Sequence, residues 1–148
     1  MTLLSLVEPG CLLYLYGPVA PIIANLLVAE AVKAGWAEVR WSRDVPYPKL
    51  EARSLVVSPV RRGDHDVWAT LLPEVRGHLL RHGDAFVGVS ADAEPPAPWK
   101  YQAGVIVCCH EDGRLTVVKD RFGPRQGHTY GPREGGWECF SPGAGAGT

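Results

Sequence analysis

Gly17 heads a spacing that binds phosphate when its other positions are filled. In the pattern G-x-x-x-x-G-K-[ST], the second glycine lets backbone N–H groups close on a phosphate. The lysine reaches the β and γ oxygens, and the hydroxyl holds Mg²⁺. Counted from Gly17, these three places hold Ile22, Ile23 and Ala24, and prolines 18 and 21 withdraw two further N–H donors. The frame is present and its polar chemistry is absent. Other reactive residue types give no centre either. Cys11, Cys108, Cys109 and Cys139 form no C-x-x-C pair. Cys108 and Cys109, adjacent on an expected strand, point to opposite faces, so buried thiols are expected rather than metal ligands with His110. His78 and His82, four apart on an expected helix, read as solvated. No Ser/His/Asp or paired-carboxylate cluster stands out, so we expect no enzyme, no metal and no cofactor.

Alternating elements must position these residues. The 148-residue chain is 46% apolar and 21% charged with net charge −1, which suits one globular domain and supplies no global field toward nucleic acid or membrane. We expect a core over residues 1–140 and a flexible tail over 141–148. Met1–Val7 has no basic start, and no stretch approaches a membrane span, so a cytoplasmic protein is expected. One Asn, one Met and two Gln suggest a thermophilic source. Leu12–Tyr16 is apolar on both faces, as in a central strand. A nearly all-apolar helix runs from Pro21 to Ala34, and Gly35 ends it. Strands are expected over Ala37–Ser42, Leu55–Val57 and Asp84–Ala91. A helix is expected over Val67–Arg81. Asp92–Pro98, with three prolines, reads as a loop. Gly104–Cys109 and Arg114–Lys119 form a hairpin around Asp112-Gly113. Residues 120–136 read as irregular, and Trp137–Phe140 as a last strand. The fold class is α/β: a largely parallel sheet flanked by helices, with a C-terminal antiparallel hairpin.

In this order the chain resembles the RecA/RadA recombinase superfamily, including its KaiC-like relatives. Leu3-Leu4-Ser5-Leu6, then Pro9-Gly10, lead into Tyr16-Gly17-Pro18 much as a leucine-containing segment and a Pro-Gly turn lead into that family's first strand and loop. Asp44-Val45-Pro46-Tyr47-Pro48 is similar to the segment after its second strand. Ala103–Val107, Glu111–Arg114, Leu115–Pro124 and Gly135-Gly136-Trp137 are similar to its closing hairpin, basic Gly-Pro segment and last strand. The resemblance implies a single RecA-like domain. It also implies an acid for Mg²⁺ at the end of the third strand, where Val56-Val57-Ser58-Pro59-Val60 has none. Asp44 matches the catalytic acid, with no phosphate to act on.

What the resemblance leaves is binding. The family holds DNA on loops after the third and fourth strands, which match Arg61–His65, carrying Arg61 and Arg62, and Asp92–Gln102, carrying Trp99, Lys100 and Tyr101. Cations with aromatic rings suit single-stranded DNA, because phosphates meet the charge while bases stack. By charge alone a third segment stands out: Arg114, Lys119, Arg121, Arg125 and Arg133 lie against Asp120. The expected function is that of a non-catalytic RadA-like paralogue that assists recombination or repair by binding DNA and a recombinase or other RecA-fold partner, or a second copy of itself. The alternative is a protein-interaction scaffold without nucleic acid. Hydrophobic surface for a partner is expected on Leu3–Val7 and on the apolar helix.

Overall fold

The structure is a computed structural model that describes residues 1–50, 53–92 and 94–141, so nearly all of the expected tail lies outside the described residues. Among these, eight strands form one sheet in the order β2-β3-β4-β1-β5-β6-β7-β8. The first five, β1 (Leu12–Tyr16), β2 (Ala37–Arg40), β3 (Ser54–Pro59), β4 (Ala85–Ser90) and β5 (Val105–Cys109), are parallel. β6 (Leu115–Asp120), β7 (Thr129–Arg133) and β8 (Gly136–Ser141) continue it antiparallel. This is the expected α/β class, with the expected last strand present as β8 and one further strand, β7, beyond the hairpin.

Alternation along the central strands divides the core in two. Leu13 and Leu15 of β1 face α1 (Ala20–Lys33), whose Ile23, Ala24, Leu27, Val28 and Ala31 are buried. Leu12 and Tyr14 face α2 (His65–His82) and α3 (Ala97–Gln102). A sheet covered on both faces buries its strands at successive positions and favours largely apolar runs, as in β1, β3 and β4, where only Ser54, Ser58 and Ser90 interrupt the apolar and small residues. The α2 side is aromatic. Trp41, Trp68, Phe86 and Trp99 meet with ring centroids 5.3–6.2 Å apart.

Three local features depart from the sequence expectation. Leu3–Leu6 is a 3₁₀ turn whose Leu3 and Leu6 are buried against α1. The Leu3 and Leu4 N–H groups donate to the Glu30 carboxylate at 3.2 and 3.3 Å, so this run is fixed within the domain, with Leu3, Leu6 and Val7 buried and only Leu4 partly open. The expected 92–98 loop contains the start of α3. Pro96 is its N-cap and Pro98 lies in its first turn, where a missing N–H breaks no helical bond. Residues 129–133, expected as irregular, form β7. It pairs with β6 only at Tyr130 and Thr129, so Pro132 lies beyond that ladder and the missing donor is tolerated.

Candidate functional site

The link from β1 to α1 is three residues long: Gly17, Pro18 and Val19. The helix begins at Ala20, two residues before the place where a phosphate loop has its second glycine. Ile22, Ile23 and Ala24 are therefore all helical. Ile23 and Ala24 pack into the core, while Ile22 is 60% exposed. Two of the turn's donors are occupied. Gly17 N–H donates to Ser90 O and Ala20 N–H to Gly17 O, each at 3.0 Å. Gly17 has φ +117°, and a Cβ placed on it would lie 2.2 Å from the Cys109 carbonyl oxygen. Glycine is required here by close contact with β5.

The position of this bond is informative. β1 continues through α1 on one face and β4 through α3 on the other, so the chain parts between these neighbouring strands. In open α/β sheets ligands bind outside the carboxyl ends of the strands at such a point. The Gly17–Ser90 bond crosses it. Ser58, near the end of β3, is fully buried. Asp44 lies exposed after β2, accepting a 3.2 Å bond from the Ser42 hydroxyl. Beside the turn is a cleft of about 420 Å³ whose walls include Pro21, Ala24, Trp41, Val57, Pro59 and Val89. It suits an apolar side chain. Next to it Ile22, Leu26 and Val32 are 48–60% exposed along the outer side of α1.

Other polar groups at this end of the sheet are bonded to one another. His110 Nε2 lies 2.7 Å from Thr116 Oγ1, which is 3.0 Å from Thr129 Oγ1. Burial, with Glu94 acting in the same sense, pushes the Cys108 thiol up, so it stays protonated and weakly nucleophilic near neutrality. Among the described residues no group of three His, Cys, Asp or Glu is placed to hold a metal ion. His82, partner in the expected helical pair with His78, has its side chain outside the described set.

The basic residues singled out by sequence do not form one surface. Arg61 and Arg62 follow β3 at the carboxyl end of the sheet, beside a hollow of about 510 Å³ shared with Asp92 and Glu94. Arg62 donates to the Asp92 backbone carbonyl at 3.2 Å, and the two arginines share the hollow with two acids. Asp64, which holds the same turn through the Arg61 N–H at 3.0 Å, pairs with Arg43. Arg133 is on β7, paired with Glu138 at 3.0 Å. Arg125 is also committed. Its Nε binds Asp120 Oδ2 at 2.9 Å and its Nη1 binds Ser5 O at 3.1 Å. Burial would push the Asp120 carboxyl up, yet the bonds from Arg125 and the Phe122 N–H outweigh this and hold it below the usual aspartate value.

Trp99 is a correction. It is fully buried against Gly88, where an added Cβ would meet its indole at 2.7 Å, so it cannot stack on a base. Its neighbours Lys100 and Tyr101 are exposed. Lys119 and Arg121 come beside them. Lys119 Nζ donates to Lys100 O at 2.9 Å, and Arg121 donates to Tyr101 O. Asp120 pairs across from Val105, the first residue of β5, so this group lies at the amino end of the parallel strands, opposite Arg61 and Arg62. Sequence reasoning passed over Phe122, 46% exposed, whose ring packs on Gly104 in the same place. An aromatic inside the polar segment Arg121–Gln126 was the available signal.

No protein-family model matches the chain, and no curated protein matches it. Among solved structures it is similar to the crystal structure of the RadB recombinase, with a TM-score of 0.64 at 13% sequence identity. The match covers 89% of this chain and 91% of that one. The chain has the RecA-like fold that its sequence resemblance implied. Among the described residues no helix is long and apolar enough to cross a membrane.

Proposed function

We propose that this chain is a RecA-like subunit that has lost nucleotide chemistry and assists DNA recombination or repair as a cytoplasmic binding protein, contacting single-stranded DNA and a RadA-like recombinase. The β1–α1 turn carries the non-catalytic part of this reading. Its three residues leave no loop for a phosphate, its N–H groups at Gly17 and Ala20 are occupied, and Ile23 stands where a lysine would be needed. DNA binding is supported by the grouping of exposed Lys100, Tyr101 and Arg121 with half-buried Lys119. The scaffold alternative is favoured by a different feature, the exposed side of α1 with its adjoining apolar cleft, which fits a hydrophobic segment of another RecA-fold subunit. Both surfaces are usable at once because they lie on different elements. Calorimetric titration with ATP and Mg²⁺ tests the non-catalytic reading. No binding heat is expected at millimolar nucleotide, and micromolar affinity would overturn it.

A further inference from the structure

We infer that single-stranded nucleic acid lies across the amino end of the parallel sheet, with bases on the Tyr101 and Phe122 rings and phosphates on Lys100, Lys119 and Arg121. The inference rests on the proposed nucleic-acid function and specifies its site, at the end of the sheet away from the β1–α1 turn. Three observations carry it. First, two rings are open to solvent here, Tyr101 at 69% and Phe122 at 46% exposure. Each stands within one residue of a cation in sequence, and Phe122 is supported from beneath by Gly104. Base stacking needs an open, supported face of this kind, and it tolerates any sequence because every base has a π-face.

Second, the cations are held in place. Lys119 donates to Lys100 O and Tyr101 O, and Arg121 donates to Tyr101 O, so both are anchored on the last turn of α3. Anchored charges lose little freedom when a phosphate arrives. Third, the acid within this run is withdrawn. Between Lys119 and Arg121, Asp120 turns inward, has a fully buried side chain and is neutralised by Arg125. Lys119 and Arg121 are consequently left side by side, and burial together with the Arg121 charge lowers the Lys119 pKa, a crowding that a phosphate would relieve. Arg76 of α2 also bears on this end, acting with Arg121 on Cys11, where Glu8 is the opposing acid. A duplex stacks its base faces on one another and leaves none for these rings, so single strands are preferred.

The test is fluorescence anisotropy with the full chain at low salt, using labelled oligo-dT, oligo-U and a DNA duplex. Oligo-dT and oligo-U separate DNA from RNA as the source of the same chemistry. Single strands are expected to bind and duplex to bind more weakly. Tyr101→Ala and Phe122→Ala are each expected to weaken binding roughly 5-fold or more, while Tyr101→Phe keeps it. With about three phosphates neutralised, log K should fall with log salt at a slope near −2, and Arg121→Ala should flatten that slope. Tyr101→Ala touches no core contact, so it decides the matter if Phe122→Ala is less stable through its packing on Gly104. Binding that survives both ring variants but is lost in Arg61→Ala/Arg62→Ala overturns this site while leaving the proposed function standing. No binding by the parent protein at tens of micromolar defeats both, and preference for an acidic polypeptide over the single strand defeats the site.

Discussion

Replacing Gly17 by alanine should destabilise the domain more than any single surface change, and the structure separates the two reasons. The first is conformational: at φ +117° an L side chain is strained. The second is contact, since the new Cβ would lie 2.2 Å from the Cys109 carbonyl oxygen and 3.0 Å from its carbon. Those are backbone atoms of a central strand, so no side chain can swing aside. Either β5 or the turn must move by about an ångström, straining or breaking the Gly17–Ser90 bond. Strain of about 1–3 kcal/mol, overpacking of about 1–3 kcal/mol and a lost hydrogen bond of about 1 kcal/mol give a loss of about 3–7 kcal/mol. Gly35→Ala is the internal control. Gly35 has φ +95° with nothing within 4 Å of an added Cβ, so that variant should show the strain alone, about 1–2 kcal/mol. Urea melts followed by circular dichroism would read both. At a slope of about 2 kcal/mol per molar, Gly17→Ala should lower the midpoint by roughly 2 M and Gly35→Ala by less than about 1 M. Equal midpoints for the two variants would refute the close contact, and with it the turn as a fixed structural joint.

Trp99→Ala should cost about 3–5 kcal/mol in a urea melt through the cavity left over Gly88, and a stability change under 1 kcal/mol would contradict its burial. Asp120→Asn should remove the partner of Arg125 and destabilise by about 1–3 kcal/mol at neutral pH. Because the Asp120 pKa is lowered on folding, its stabilisation is present above the ordinary aspartate value of about 3.9 and is lost as pH falls through the folded value. The parent and the Asn variant should therefore converge in stability on acidification, and a pH-independent gap between them would tell against the ion pair. Ile22→Lys with Leu26→Lys, both on the exposed side of α1, should change stability by no more than about 0.5 kcal/mol each and abolish co-elution with a RadA-type recombinase. Co-elution that persists would place the contact elsewhere.

The parallel half of the fold was legible because its signals are local. β1 is apolar on both faces, α1 is bounded by Pro21 and Gly35, and Asp112-Gly113 marks the hairpin turn. The elements missed were those whose composition argues against them. Proline 96 and proline 98 read as loop until their places at the N-cap and first turn of α3 are known, and Gly131 and Pro132 conceal a strand held by its neighbour β8. The site divided in the same way. That Ile22, Ile23 and Ala24 supply no group for a phosphate could be read from residue type alone, because that chemistry needs particular side chains. The basic surface could not, because burial decides it. Trp99 and Tyr101 are two residues apart, and one is in the core while the other is exposed. Arg121 and Arg125 are four apart, and one faces solvent while the other is committed to Asp120. Charge counts along a chain carry no information about such partners.

The central claim is that a RecA-like frame here binds single-stranded DNA with no part played by nucleotide. It is tested most directly by titrating one labelled oligo-dT with the protein twice, in the absence and in the presence of millimolar ATP and Mg²⁺ at constant ionic strength. Two superimposable, salt-sensitive isotherms are predicted, since Ile22, Ile23 and Ala24 supply no group for a phosphate and the proposed DNA surface lies at the other end of the sheet. Binding that requires ATP, or whose affinity shifts severalfold when ATP is added, would contradict the account.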